Sequence, residues 1–269
     1  MSSTSELLNI ALKASDLAER VILDHFNAGV SVEWKPDNTP VTKADKQAEE
    51  TMREFFAKET PGFGVIGEEF GVESPDAEYQ WIVDPIDGTK SFIHGVPLFG
   101  TLIALYHKNV PVASVINMPV LNQKVYASNG GGAFAKSVSG IVPAHVSDVE
   151  LKDGLVLSGT LNTMEDFGYG EKFKELRRSA RLYRGWGDCY GYYLVATGRA
   201  EVMVDPVDSL WDIAPMPLIL KEAGGHFCTL KGAVELFDPK NQPVAPIYEG
   251  FSGVACNAKI FSQVSKIMM

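Results

Sequence analysis

Residues 81 to 92 read WIVDPIDGTKSF, and this stretch limits the possible folds more than any other. Trp81, Ile82 and Val83 make a short continuous apolar run, the pattern of a strand buried on both faces. Asp84 follows at once and Asp87 comes three residues later, with Pro85 and Gly88 interleaved. An ionised carboxylate withdrawn from water without a partner is costly, so such groups are normally paired or bound to metal. A fold containing this strand must therefore end it at a place where two acids find partners.

The chain has 269 residues, enough for one large domain or two modest ones with developed cores. With 45% hydrophobic and 22% charged residues it belongs to neither the disordered nor the fibrous classes. The N-terminal stretch MSSTSELLNIALKASDLAER lacks a basic start followed by an apolar signal core, so the expectation is a cytoplasmic protein with no membrane association. Cys189, Cys228 and Cys256 are scattered without CxxC spacing, which reads as buried reduced thiols and not as a zinc site or disulfide framework. The net charge is −10, with 34 acids against 24 bases and no basic cluster, which excludes a nucleic acid held by the protein's own cations. A small anionic substrate would need positive charge from another source, and a bound divalent metal would supply it.

Apolar residues at helical spacing predict an amphipathic helix over 6–26, with Leu7, Ile10, Ala14, Leu17 and Val21 on one face. A turn-rich loop leads to a second helix over about 43–56, where Thr42 and Asp45 form a Thr-x-x-Asp capping pattern. GVIGEEF reads as a short strand running into Glu68 and Glu69. Stretches 98–106, 110–118 and 123–135 read as antiparallel strands, with a glycine hairpin at NGGG. Beyond about residue 140, strands and helices alternate: helices are expected over 164–178, 189–197 and 213–223, and a last one is capped by Asn257. Pro217 should cost the third of these a hydrogen bond or kink it. The expected organisation is two closely packed halves, α+β over 1–140 and α/β over 141–269, with ligand chemistry where they meet.

Pro85 fixes its own φ and biases Asp84 to extended geometry, so the chain turns sharply just after Asp84. Both carboxylates and the carbonyl of Ile86 then reach one point, an all-oxygen set suited to Mg²⁺ or Mn²⁺ and not to zinc. The amides of Gly88 and Thr89 follow directly and are candidates for holding a phosphate. An Asp-Pro turn followed by Gly-Thr is also ordinary loop chemistry. Glu68, Asp45 and Asp212 each have a capping or solvation explanation when taken singly.

Taken together, WIVDPIDGTKSFIH, preceded by VIGEE and followed by WDIAPMPLILKEAGG, resembles the inositol monophosphatase family of magnesium-dependent, lithium-sensitive phosphomonoesterases. PVTKAD and VATGRAEVMVD match further family motifs in family order. The resemblance implies a layered αβαβα sandwich in the α/β class, of the inositol monophosphatase and fructose bisphosphatase type. It implies Glu68, Asp84, the carbonyl of Ile86, Asp87 and Asp212 as ligands to two or three Mg²⁺ ions, Asp84 bridging. It also implies that Thr89 and Glu68 activate the attacking water with Asp45 beside it, and that the enzyme is a homodimer.

DGTKSF in place of DGTTNF, Pro215 and Pro217 after the last metal aspartate, Asp188 in RGWGDCYGY and Asp205 in VMVDP resemble the histidinol-phosphate phosphatase branch. Histidinol phosphate carries a protonated amine and an imidazole, which extra carboxylates suit. Asp87, Gly88, Thr89, Asp188 and Asp205 are thus the expected substrate contacts, with Arg184 either orienting Asp188 and Asp205 or merely a surface residue. An inositol-phosphate or broad-specificity sugar or nucleotide phosphatase stays open, and more distantly a non-catalytic metal- or metabolite-binding regulator.

Overall fold

A computed structural model describes residues 3–28, 32–34, 40–238 and 242–269. The first half contains α1 (Thr4–Ala28), β1 (Val32–Trp34), β2 (Pro40–Thr42), α2 (Lys43–Glu59), β3 (Gly64–Gly67), β4 (Gly71–Glu73), β5 (Tyr79–Asp87) and α3 (Thr89–Ile93). Five antiparallel strands follow: β6 (Gly100–His107), β7 (Val110–Met118), β8 (Gln123–Ser128), β9 (Gly132–Ser137) and β10 (Gly140–Pro143). The remainder contains β11 (Leu155–Ser158), α4 (Leu161–Asp166), α5 (Gly170–Ser179), β12 (Leu182–Arg184), α6 (Asp188–Ala196) and β13 (Val202–Asp208). It ends with α7 (Leu210–Ile213), α8 (Met216–Glu222), β14 (Gly225–Cys228), β15 (Phe251–Asn257) and α9 (Phe261–Met268).

Two large sheets carry the fold. One has eight strands in the order β10-β9-β8-β7-β6-β5-β3-β4, the other five in the order β12-β11-β13-β15-β14. Side chains alternate across a strand, and β5 shows what that produces. Trp81 and Val83 face α1 and α2 in one core, whereas Ile82 faces a second core shared with α6, α7, α8 and the other sheet. The second sheet alternates in the same way: Met203 enters that shared core, while Val202 and Val204 enter a third one with α4, α5 and α9. The result is the expected αβαβα sandwich, and the double burial of β5 explains its unbroken apolar run.

Several elements differ from the sequence expectation. Phe251–Asn257 is a strand buried along its whole length between β13 and β14. Its interior Ser252 and Gly253 interrupt the apolar pattern that marks a buried strand in the sequence. The expected helix over 164–178 is broken into α4 and α5 around Gly168, which sits at φ 80°. That over 213–223 is also split, because Pro215 caps α8 and Pro217 falls in its first turn, where a missing N–H costs nothing. Asn257 ends β15, and its Oδ1 accepts from the Ile260 amide in the turn before α9. All three cysteines are free and buried, as expected. Among the described residues no helix is long and apolar enough to cross a membrane.

Candidate active site

The parity that sends Ile82 into the middle layer sends Asp84 there too. Asp87, an odd number of residues on, would ordinarily point to the opposite face. The register corrects this: Asp84 pairs with Leu102 and Asp87 with Gly100, so three steps on β5 match two on β6. One extra residue forms a bulge that turns Asp87 back to the side of Asp84. Thr101 clamps the bulge, its Oγ1 donating to the Pro85 carbonyl at 2.9 Å. Asp87 Oδ2 in turn accepts a short hydrogen bond from the Cys189 amide in the first turn of α6.

Two other elements bring acids to the same point. β3 runs parallel to β5 with Gly67 beside Val83, so Glu68 leaves its strand next to Asp84. Asp212 is the third residue of α7 in a capping box, and its Oδ2 accepts from the Ser209 amide at 2.7 Å. Carboxylate oxygens of Asp84, Asp87 and Asp212 lie within 4.8 Å of one another. Glu68, Ile86, Gly88, Thr89 and Lys90 line a cavity of about 220 Å³ with them and Asp188. Thr89 Oγ1 donates to the Ile86 carbonyl at 3.0 Å.

Asp84 is 1% exposed and its Oδ1 has no hydrogen-bond partner. Burial, then the charge of Glu68, raises its pKa well above the ordinary carboxylate range. Asp212 is pushed up to about 7, by burial first and then by Glu68. A crowd of acids holding one another's protons, with an orphaned oxygen at its centre, fits a hard cation and is otherwise unfavourable.

Asp45 does not line this cavity, although its charge is among those that raise Asp84. Its Oδ2 accepts from the Thr42 amide at 2.8 Å and hydroxyl at 2.5 Å, closing the anticipated capping box. Burial raises it to about 7, with Glu69 and Glu68 as the charges acting in the same direction.

Asp188 and Asp205 line a second cavity of about 220 Å³ that shares Asp87, Lys90, Asp188 and Asp212 with the first. Asp188 adopts φ 52°, a left-handed conformation that side chains other than glycine rarely occupy. Arg184 is not brought into either cavity; it is exposed, and its guanidinium donates to the Tyr183 carbonyl at 2.8 Å. Strand β12 is short and lies at the sheet edge, which leaves that side chain in solvent.

Some contributors escaped the sequence reading. Lys90 is the cation lining both cavities, and its place in DGTKSF was visible without its orientation. Glu49, fully buried, accepts from the Glu69 amide at 2.8 Å and the Phe70 amide at 3.2 Å, anchoring the turn that carries Glu68. Arg53 bonds Glu49 at 2.8 Å and the Gly71 carbonyl at 2.6 Å. Arg53→Met leaves Glu49 charged and underpaired in the interior, so thermal or denaturant unfolding should show a loss of roughly 3 kcal/mol.

The sequence pattern described as the inositol monophosphatase family matches residues 3–264. A histidinol-phosphatase of Chlorobaculum parvum is 41% identical, over 86% of this chain and 88% of that protein. A histidinol-phosphatase of Mycobacterium tuberculosis is 38% identical, over 84% of this chain and 88% of its own. Among solved structures, an inositol monophosphatase from Zymomonas mobilis superposes with a TM-score of 0.81 at 29% identity, over 100% of this chain and 99% of that one.

Proposed function

The chain belongs to the inositol monophosphatase family of phosphoric monoester hydrolases, and on that premise we propose that it hydrolyses histidinol phosphate to histidinol with magnesium. Glu68, Asp84, the Ile86 carbonyl, Asp87 and Asp212 are the groups that would hold the two or three ions. The observation that carries the metal is Asp84, a 1% exposed acid with an orphaned oxygen beside two further carboxylates. Bound magnesium would supply Lewis-acid polarisation of the ester and a more acidic attacking water, and manganese shares its preference for oxygen ligands.

The chain's own groups then have separable roles. The amides of Gly88 and Thr89 take phosphate oxygens, while Thr89 and Glu68 orient the water and draw its proton, with Asp45 beside that water. The hydrogen bond from Thr89 Oγ1 to the Ile86 carbonyl supports this, because it fixes the hydroxyl rotamer at the rim of the ligand set. Asp188 and Asp205 receive the cationic end of the substrate. The names of the two histidinol-phosphatase relatives support the choice of ester. The division into units at residues 140 and 141, a cytoplasmic location, a homodimer and lithium sensitivity belong to the same reading, on family likeness.

Initial rates on histidinol phosphate, inositol monophosphate and a nucleotide bisphosphate, each with and without Mg²⁺, test it. Histidinol phosphate should be hydrolysed fastest and only with metal. Preference for inositol monophosphate would sink the substrate assignment, and full activity after exhaustive chelation would sink the metal. Thr89→Ala should lower kcat more than it raises KM, because orienting the water matters chiefly in the transition state. A large rise in KM at constant kcat would make Thr89 a binding residue instead.

A further inference from the structure

The acids of the ligand set do not come from equally supported places. Asp84 and Asp87 end a strand that is paired on both sides, with β3 and β6 as its neighbours. Glu68 stands in the three-residue turn between β3 and β4, and β4 is itself only three residues long and lies at the rim of the eight-stranded sheet. A hairpin of this length is weakly held by its own ladder, because its outer strand has a neighbour on one side only. A ligating side chain nevertheless has to be held to within about 0.5 Å of its working position. Something other than the sheet must therefore fix Glu68.

The support comes from α2. Asp45, Glu49 and Arg53 follow one another at intervals of four residues, so they form one stripe along that helix. Both carboxylate oxygens of the fully buried Glu49 are engaged: Oε2 accepts from the Glu69 amide, and Oε1 accepts from the Phe70 amide and from Arg53 Nε. Two successive amides of the turn thus close on one carboxylate, directly after Glu68. Arg53 extends the grip to the outer strand, donating to the Gly71 carbonyl at 2.6 Å, pairing with Glu73 at 3.3 Å and lying over the Phe70 ring. Gly67, the residue before Glu68, leaves the room for this, since a Cβ there would overlap the Glu49 carboxylate. An ion pair that served the helix alone would lie on its exposed face and contribute little. This one is buried against the turn.

We propose that Glu49 is a positioning residue for Glu68, with Arg53 as its support: it fixes the edge hairpin at the depth from which the Glu68 carboxylate joins Asp84. Metal affinity then depends on an acid that touches neither metal nor substrate. This rests on the reading of Glu68 as a metal ligand. Glu49 does not line the cavity that Glu68 shares with Asp84, so its effect on the site passes through the backbone of residues 67–70. Partners that hold a ligating side chain in place in this way typically matter about 10- to 100-fold in metal affinity.

The test is Mg²⁺ binding by calorimetry on the whole, substrate-free protein, with Mg²⁺-dependent rates measured alongside. Glu49→Gln keeps the size of the side chain and one acceptor oxygen but turns an NH₂ group toward a donor. It should weaken Mg²⁺ binding about 10- to 100-fold and raise the Mg²⁺ concentration for half-maximal rate by the same factor. At saturating Mg²⁺, kcat should recover to within about 5-fold of wild type and KM for histidinol phosphate should stay within about 2-fold, because no transition-state contact is lost. Gly67→Ala leaves the Glu49 charge in place but displaces it, and should move both Mg²⁺ readings in the same direction, so the result does not hang on how well Glu49→Gln folds. Variants that melt lower yet bind Mg²⁺ as wild type does would make Glu49 purely structural and overturn the proposal. A fall in kcat that saturating Mg²⁺ does not restore would also overturn it, by placing Glu49 in the chemistry itself. If wild type binds no Mg²⁺, the metal reading falls and takes the proposal with it; binding that is equal in wild type and both variants overturns the proposal alone.

Discussion

Asp84→Asn should lower kcat about 10³-fold or more while leaving the protein folded. Asp84 is the acid from which the others are measured: it lies beside Glu68 by strand register, within 4.8 Å of Asp87 and Asp212 by carboxylate oxygens, and out of water. Removal of a single preorganised electrostatic group at a reacting centre typically costs about 10²–10³ in rate, and on the proposed assignment of Asp84 to two ions the loss lies at or beyond the upper end. Without metal, the same substitution removes a carboxyl whose ionisation burial and the neighbouring acids oppose. The metal-free variant should therefore melt above the metal-free wild type, although it is close to inactive. Steady-state rates at saturating Mg²⁺ and histidinol phosphate, paired with thermal melts in chelator, check both halves. Turnover near the wild-type level would remove Asp84 from the ligand set.

The second large effect is on the pH dependence of stability. In the metal-free protein Asp45 and Asp212 are raised from 3.8 to about 7, and Asp205 to about 8, each chiefly by burial. A carboxyl whose folded pKa exceeds its unfolded value keeps a proton in the folded state that the unfolded chain has already released. Its contribution is complete below the unfolded pKa near 4 and is lost as pH rises through the folded value. Asp45 alone, shifted by about three units, corresponds to roughly 4 kcal/mol. The melting temperature of the chelated protein should therefore fall by on the order of 10 °C between pH 5 and 8. Added Mg²⁺ should flatten the dependence, because it binds the deprotonated carboxylates and has most effect where they are charged. A chelated protein that is more stable at pH 8 than at pH 5 would mean that these acids are not crowded as described.

Most of what could be read from the chain depends on local chemistry. The turn after Asp84 follows from Pro85 and Gly88, the Thr42–Asp45 capping box from a four-residue pattern, and α1 from its apolar spacing. The capping box of Ser209 and Asp212 carries the same kind of local signal, in keeping with the capping explanation that Asp212 has in the sequence. Arg184 shows the opposite limit. Sequence proximity to Asp188 made it a plausible site residue, but the direction of a side chain on a three-residue edge strand depends on where the sheet stops.

From the chain alone it follows that a buried strand must end among acids, which residues could turn that end into a ligand set, and that strands and helices would layer into α/β architecture. Those results rest on backbone stereochemistry and on the cost of burying charge, both of which act over a few residues. That Asp84 and Asp205, 121 positions apart, project into the same middle layer follows from tertiary structure alone. That depends on the register of β5 against β6 and of β13 against β15, and on two bulges that shift each second aspartate by one residue. It depends equally on β15, whose Gly253 reads as a weak strand position in the sequence although the strand is buried along its whole length between β13 and β14. Register is a property of pairs of strands, and a one-residue change in it reverses the face of every side chain beyond, so no single segment contains it.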